Sequence, residues 1–223
     1  MTASLLFPDM AELPGFAFPQ SLSEKYRPAT IADFAGLDAA KDTLRGFIAN
    51  PKNIGFTFHG PAGTGKTSMG LALTRELSAF LHHVPAGQFT VDKVRELAFS
   101  CHYFPPAGFR RHLILVDEID AASYQAQLAC LSYLDGTNPI PDTVWVFTCN
   151  GTDKLHDRFL SRTRVLKFSN NGIQNDATTL MHRVWSAETD APAPNMAAII
   201  KEQKGNIRAA LSILDSKLDA LRA

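Results

Sequence analysis

Nine consecutive residues carry the first chemical signal of this 223-residue chain: His59-Gly60-Pro61-Ala62-Gly63-Thr64-Gly65-Lys66-Thr67. From Gly60 onward they match G-x-x-x-x-G-K-[ST], a spacing suited to cradling phosphate. Gly60, Gly63 and Gly65 let the backbone curl with its N–H groups pointing inward, at a helix N-terminus that already favours anions. Lys66 adds a cation for the β- and γ-phosphates, and the Thr67 hydroxyl a ligand for Mg²⁺. Pro61, Ala62, Thr64 and Ser68 complete the stretch expected to touch nucleotide.

A second signal follows at Leu113-Ile114-Leu115-Val116-Asp117-Glu118-Ile119-Asp120. Four successive apolar residues suit a strand buried on both faces of a parallel sheet, and the carboxylates emerge at its C-terminal end, where open α/β sheets bind ligands. Asp117 is suited to holding Mg²⁺ through its water shell, and Glu118 to orienting or deprotonating a water. A third apolar run, Thr143–Cys149, ends in Asn150, whose amide both donates and accepts; Asn before Gly is also a common turn. Downstream, Lys154, Arg158, Arg162, Arg164 and Lys167 stand against Asp153 and Asp157. That cluster is either a solvated face or a place from which Arg162 reaches a neighbouring subunit's nucleotide.

Elements must hold these groups in place. The apolar run Ile54–Phe58 reads as the strand before the phosphate loop, and Met69, Leu71, Leu73 and Leu77 as a helix after it, continuing to about Leu81. His82–Gln88 reads as a short strand and turn. Helical patterns are expected over Asp38–Ile48, Val91–Phe99, Ala121–Leu134, Asp176–Ala187, Met196–Gln203 and Gly205–Leu221, and a strand at Val165–Phe168. Residues 1–20 mix Pro, Gly and apolar side chains without period and read as an extended arm. Leu5, Leu6, Phe7, Phe16 and Phe18 give it an apolar face that either covers the same chain or docks on a partner. Before the first helix, Tyr26 offers a flat ring, Arg27 a planar cation and Pro28 a forced extension, a segment that could wall the base side of a nucleotide. Residues 21–169 are thus expected to form a nucleotide-binding α/β domain, and residues 170–223 a small helical one.

Composition narrows the partners. The chain is 45% apolar and 20% charged, enough for a proper core. Lys and Arg together number 22, as do Asp and Glu, so any nucleic-acid contact rests on a local basic surface rather than on a global field. Cys101, Cys130 and Cys149 show no C-x-x-C spacing and sit in apolar patterns, the signature of reduced, buried thiols. The histidines are not spaced with cysteines as metal sites usually are, and read as surface or packing residues. No apolar run approaches a membrane span and no leader pattern begins the chain, so a cytoplasmic location is expected.

The order Glu24-Lys25-Tyr26-Arg27-Pro28, phosphate loop, Val116-Asp117-Glu118-Ile119-Asp120, Asn150, Ser161-Arg162 and Gly205-Asn206-Ile207-Arg208 resembles the AAA+ ATPases. Among them it is most similar to the sliding-clamp-loader small subunits of the replication factor C type, from residue 22 to about 217. The resemblance implies a P-loop NTPase core with a parallel sheet flanked by helices and an all-helical lid. It makes Gly60–Thr67 the Walker A loop, Leu113–Glu118 the Walker B strand, Asn150 sensor 1 and Arg208 sensor 2. Tyr26, Arg27 and Pro28 become the lining of the adenine pocket, and Arg162 an arginine finger acting in trans. Lys93 and Arg95 lie on a helix that tracks the DNA backbone in such machines. The motif departs from the family at Thr163, where Cys is usual, and the sequence holds no collar domain after the lid.

What the resemblance implies is an ATP- and Mg²⁺-dependent hydrolase assembled with other AAA+ subunits on DNA, with a sliding clamp as a possible further partner. The competing readings are another DNA-remodelling AAA+ ATPase, for branch migration or fork repair, and a nucleotide-binding scaffold that never hydrolyses. The scaffold reading is disfavoured because Lys66, Asp117, Glu118, Asn150 and Arg162 are all present.

Overall fold

The computed structural model describes residues 19–134 and 138–222; the expected N-terminal arm lies outside the described residues, apart from its last two. A short helix α1 (Leu22–Lys25) leads into α2 (Asp38–Ala49), β1 (Ile54–His59), α3 (Lys66–Glu76), β2 (Ala79–Pro85) and α4 (Val91–Ser100). Then come β3 (Arg111–Asp117), α5 (Tyr124–Ala129), α6 (Leu131–Leu134), β4 (Thr143–Cys149), α7 (Asp157–Leu160) and β5 (Thr163–Lys167). Three helices follow: α8 (Gln174–Glu188), α9 (Met196–Glu202) and α10 (Ile207–Arg222).

The five strands form one parallel sheet in the order β2-β3-β4-β1-β5. Side chains alternate between its faces, so one strand serves two cores. On β3, Leu113 and Leu115 pack with Phe56, Phe58, Leu73 and Phe168 on one side. Ile114 and Val116 pack with Phe89, Leu97, Trp145 and Phe147 on the other. A third cluster gathers Met181, Val184, Trp185, Ile200, Leu211 and Leu214 of the last three helices, and Leu22 of α1 packs into it. The sheet and the separate helical cluster are the expected α/β core and helical lid.

The chain leaves the expected course in two places. The helix after the phosphate loop ends at Glu76 rather than near Leu81. Ser78 adopts a left-handed φ of 49°, and Ala79 at once begins pairing with Arg111 of β3. Leu71, Leu73, Leu77 and Leu81 fit a helix, but Ala79 and Leu81 equally fit the alternation of a strand, and the sheet edge decides between them. The helix expected over Ala121–Leu134 is broken into α5 and α6. Its first part begins only at Tyr124, capped by the Ser123 hydroxyl, which accepts from Ala126 N at 3.2 Å.

The aromatic packing under β4 sets the stability of the core. Phe147 is fully buried, edge-on to Phe159 with centroids 4.8 Å apart and stacked on Trp145 at 5.8 Å. A Phe147→Ala variant is expected to lose about 3–5 kcal/mol of stability, read as a lower urea midpoint; an unchanged midpoint would count against this core.

Candidate functional site

The strand order brings the chemical groups together. β4 lies between β1 and β3, so Asn150, just past β4, stands between the loop leaving β1 and the acids leaving β3. The chain crosses to β2 on one side of β1 and returns to β5 on the other, making this the point where strand order reverses. The loop itself is folded by its glycines: Gly63 and Gly65 have φ of 79° and 87°, values that side-chain-bearing residues rarely adopt. A side chain at Gly60 would run into the Phe168 carbonyl.

Lys66 opens α3 and turns back over the loop. Its Nζ donates to Gly60 O at 2.6 Å, Pro61 O at 2.9 Å and Asn150 Oδ1 at 3.0 Å. Burial pulls its pKa below the ordinary lysine value, against the attraction of Cys149, Asp120 and Glu118. Asp117 is held just as firmly. Its Oδ1 accepts from Thr67 Oγ1 at 2.8 Å and from Thr148 Oγ1 at 2.9 Å, while Oδ2 meets His83 Nε2 at 2.5 Å. Glu118 takes a left-handed φ of 57° and donates its N–H to the same Thr148 hydroxyl at 3.0 Å.

Lys66, Thr67, Glu118, Asn150 and Arg208 line one small cleft, which brings the lid into the site. Asn206 caps α10, accepting from Ala209 N at 3.1 Å. Its side chain lies against Gly63, where any side chain would collide with it. Beside the cleft lies a cavity of about 330 Å³, lined by Tyr26, Arg27, Pro28, Phe34, Ser68 and Arg208 among others. That volume lies within the range of small-molecule pockets, roughly 300–1,000 Å³. The Tyr26 hydroxyl donates to Glu188 Oε1 of α8 at 2.7 Å, and Lys25 Nζ reaches the same oxygen at 2.6 Å. These two hydrogen bonds hold the Glu188 carboxyl below the ordinary glutamate pKa.

The donors fit the groups the motifs call for. Thr67 and Asp117 present hard oxygen atoms to a hard cation, and the glycine cradle with Lys66 presents donors to an anion. Lys93 and Arg95 lie elsewhere, on α4, paired with Glu96 at 2.7 Å and Asp92 at 3.3 Å. Arg162 precedes Thr163, which pairs with Gly55 near the start of β1, whereas the phosphate loop leaves the other end of β1 after His59. Four residues at ~3.3 Å rise separate those ends by roughly 13 Å. Arg162 Nη1 donates to Arg158 O at 3.1 Å, and Arg162 lines neither the cleft nor the cavity.

Sequence reasoning missed Thr148, His83 and Asn206. Thr148 and His83 act through partners on other elements, so no local pattern marks them, and the contact of Asn206 with Gly63 likewise exists only in the fold, although its cap of α10 is local. It also missed an exposed aromatic surface at the end of α4 and in the loop after it, where Phe99, Tyr103 and Phe104 stand in solvent, Phe104 at 98% exposure. Among the described residues, no helix is long and apolar enough to cross a membrane.

Comparison with known proteins places this geometry among relatives. Residues 56–171 match the ATPase family associated with various cellular activities (AAA). The chain is 29% identical over 203 residues to a replication factor C small subunit of Picrophilus torridus, covering 87% of this chain and 63% of that protein. It is 30% identical over 203 residues to replication factor C subunit 5 of Mus musculus, covering 86% and 59%. The chain thus spans less than two thirds of the length of either. In fold it resembles the Thermotoga maritima RuvB Holliday junction branch migration motor, with a TM-score of 0.73 at 16% identity over 89% of this chain and 68% of that one.

Two measurements probe this geometry. Thr148→Val removes the hydroxyl that serves both Asp117 and the Glu118 N–H. It is expected to cost about 1–3 kcal/mol of stability and to weaken Mg²⁺-dependent nucleotide binding; a variant matching the parent in both would remove Thr148 from the site. Glu188 should titrate below the ordinary value of 4.5 in a carboxyl-resolved NMR titration. With a depressed folded pKa, its contribution to holding α1 on the lid is complete above 4.5 and is lost as pH falls through the folded value. A titration at or above 4.5 would contradict the contact.

Proposed function

The chain belongs to the AAA family, and from that membership and its likeness to replication factor C subunits we propose that it binds and hydrolyses ATP as one subunit of a clamp-loader-like assembly on DNA. One observation carries the reading: the phosphate loop, the Thr67–Asp117 pair, Glu118, Asn150 and the lid's Arg208 converge at one end of the sheet. Lys66 and the loop amides bind phosphate, and Thr67 and Asp117 hold Mg²⁺, which supplies charge neutralisation on the transferring phosphoryl group. Glu118 orients and deprotonates a water, and Asn150 fixes its position by hydrogen bonding. Tyr26, Arg27 and Pro28 wall the base.

Arg162 completes the site of a neighbouring subunit. Its place at the far end of β5 supports that reading, because it cannot reach the phosphate loop of its own chain. Among the described residues, Lys93 and Arg95 pair with exposed acids on their own helix, and such pairs cost little to exchange for DNA phosphates. The aromatic surface at Phe99, Tyr103 and Phe104 is suited to a protein partner such as a sliding clamp. Branch migration has support only from a shared fold.

ATP turnover should rise when primed DNA is added, and Glu118→Gln should retain ATP binding while turnover falls roughly 10²–10⁴-fold; turnover equal to the parent would remove Glu118 from catalysis. Mixing Arg162→Ala with Glu118→Gln subunits should restore part of the activity, since an Arg162→Ala subunit keeps an intact Glu118 for a neighbour's Arg162 to complete. Mixtures that stay inert in every proportion would overturn the trans role. Mass in solution should increase with a non-hydrolysable ATP analogue and primed DNA, and a monomer under all conditions would contradict the assembly.

A further inference from the structure

Away from the nucleotide site, three side chains that are far apart in sequence meet beneath the sheet edge. They are His82 on β2, Cys101 at the C-terminal end of α4 and His112 on β3. His82 Nε2 lies 3.0 Å from His112 Nδ1 and 3.5 Å from Cys101 Sγ, and the three ligand atoms all fall within 4.8 Å of one another. With metal–nitrogen bonds of about 2.0–2.1 Å and a metal–sulfur bond of about 2.3 Å, ligand atoms around a tetrahedral ion sit roughly 3.3–3.8 Å apart. The cluster needs only a small outward adjustment to admit an ion.

A second observation points the same way. His112 Nε2 lies 2.9 Å from the Tyr103 carbonyl, and a carbonyl can only accept, so this nitrogen carries the ring proton. Nδ1 is then left as a lone pair facing His82 and Cys101. A backbone carbonyl that fixes the tautomer of a histidine is the arrangement that orients imidazole ligands in metal sites. Phe80 packs edge-on to both imidazoles, with centroids 5.1 Å and 6.2 Å away, and Phe109 packs on Phe80. Phe80 and Phe109 make one wall apolar, the Thr143 side chain bonds Cys101, the Lys93 charge acts on His82, and Cys101 and His112 are buried, so the ligands sit where solvent competes weakly.

We propose that His82 Nε2, Cys101 Sγ and His112 Nδ1 form a binding site for a thiophilic transition-metal ion of the Zn²⁺ class, with a fourth position left to water. Binding forms the metal–sulfur bond and releases the Cys101 thiol proton to solvent. His82 shifts its single ring proton from Nε2 to Nδ1, leaving the imidazole neutral, and nothing is oxidised or reduced. The same surroundings select the metal. Burial holds His82 down to about 4, so its imidazole is neutral at physiological pH, and lifts the Cys101 thiol to about 12, so that proton leaves only for a strong Lewis acid. Mg²⁺, which prefers oxygen ligands and dehydrates reluctantly, is excluded. An ion here ties the C-terminal end of α4 to β2 and β3 and fixes the loop bearing Tyr103 and Phe104.

The full chain, freed of metal by chelation and without nucleotide, is titrated with Co²⁺. The expected result is a thiolate-to-cobalt charge-transfer band that saturates at a single equivalent and is displaced by Zn²⁺. The band should vanish in Cys101→Ser, weaken in affinity at least ~10-fold in His112→Gln, and persist in His83→Ala, which separates this site from the carboxylate of Asp117. Zn²⁺ should raise the melting temperature of the parent but not of Cys101→Ser. No saturable band in the parent, or a band that survives in Cys101→Ser, overturns the proposal. Should Cys101→Ser fail to fold by circular dichroism, His82→Gln takes its place, with the same loss of affinity of at least ~10-fold as in His112→Gln expected and an unchanged affinity decisive against the site.

Discussion

The carboxylate of Asp117 is the constraint on which the site depends. It ends β3, yet Thr67 of α3, Thr148 of β4 and His83 of β2 all reach it, so one side chain sets the spacing of four elements. Thr148 extends the arrangement by also receiving the Glu118 N–H, which fixes the backbone at the residue proposed to act on water. A half-buried carboxylate with several donors is costly to leave unpaired. The elements that supply those donors therefore hold one another in register as well as holding the acid. The sheet order is what makes this geometry available, since only a strand inserted between β1 and β3 could carry Thr148 and Asn150 into the gap.

How far the sequence reveals all this follows from the range of the interactions. Gly60–Thr67 is legible because phosphate binding demands a contiguous run of special backbone conformations, and φ values of 79° and 87° at Gly63 and Gly65 leave glycine as the natural choice. Asp117 is legible because a strand buried on both faces must be apolar up to the residue where it emerges. The end of α3 was not, because Leu77, Ala79 and Leu81 satisfy a helical and a strand period alike, and the competing β3 edge is thirty residues away in sequence. His82, Cys101 and His112 lie on three elements at irregular spacing, so their meeting exists only in the folded chain. Arg208 could be named by resemblance alone; what brings it to the phosphate loop is the docking of α10 through Asn206 onto Gly63.

The two halves of the structure share the proposed nucleotide cavity unequally. The sheet domain contributes its rigid floor, while the wall at Tyr26 is fastened to the lid through Glu188, and Leu22 packs in the lid's apolar cluster. The segment beside the proposed base site and the helix that carries Arg208 are thus both tied to the packing of the last three helices.

The posture of Lys66 has a thermodynamic consequence. Its ammonium already has three oxygen partners, two loop carbonyls and the Asn150 amide. Meeting a phosphate is for this side chain an exchange of ligands rather than the filling of a vacancy. The gain is the difference between bonds in which both partners are charged and the bonds to neutral carbonyl and amide oxygens that are given up. The carbonyls of Gly60 and Pro61 and the amide oxygen of Asn150 are set loose by the same exchange. Under the proposed function, the same side chain therefore links the phosphate to the loop carbonyls and to Asn150, the partners it would exchange.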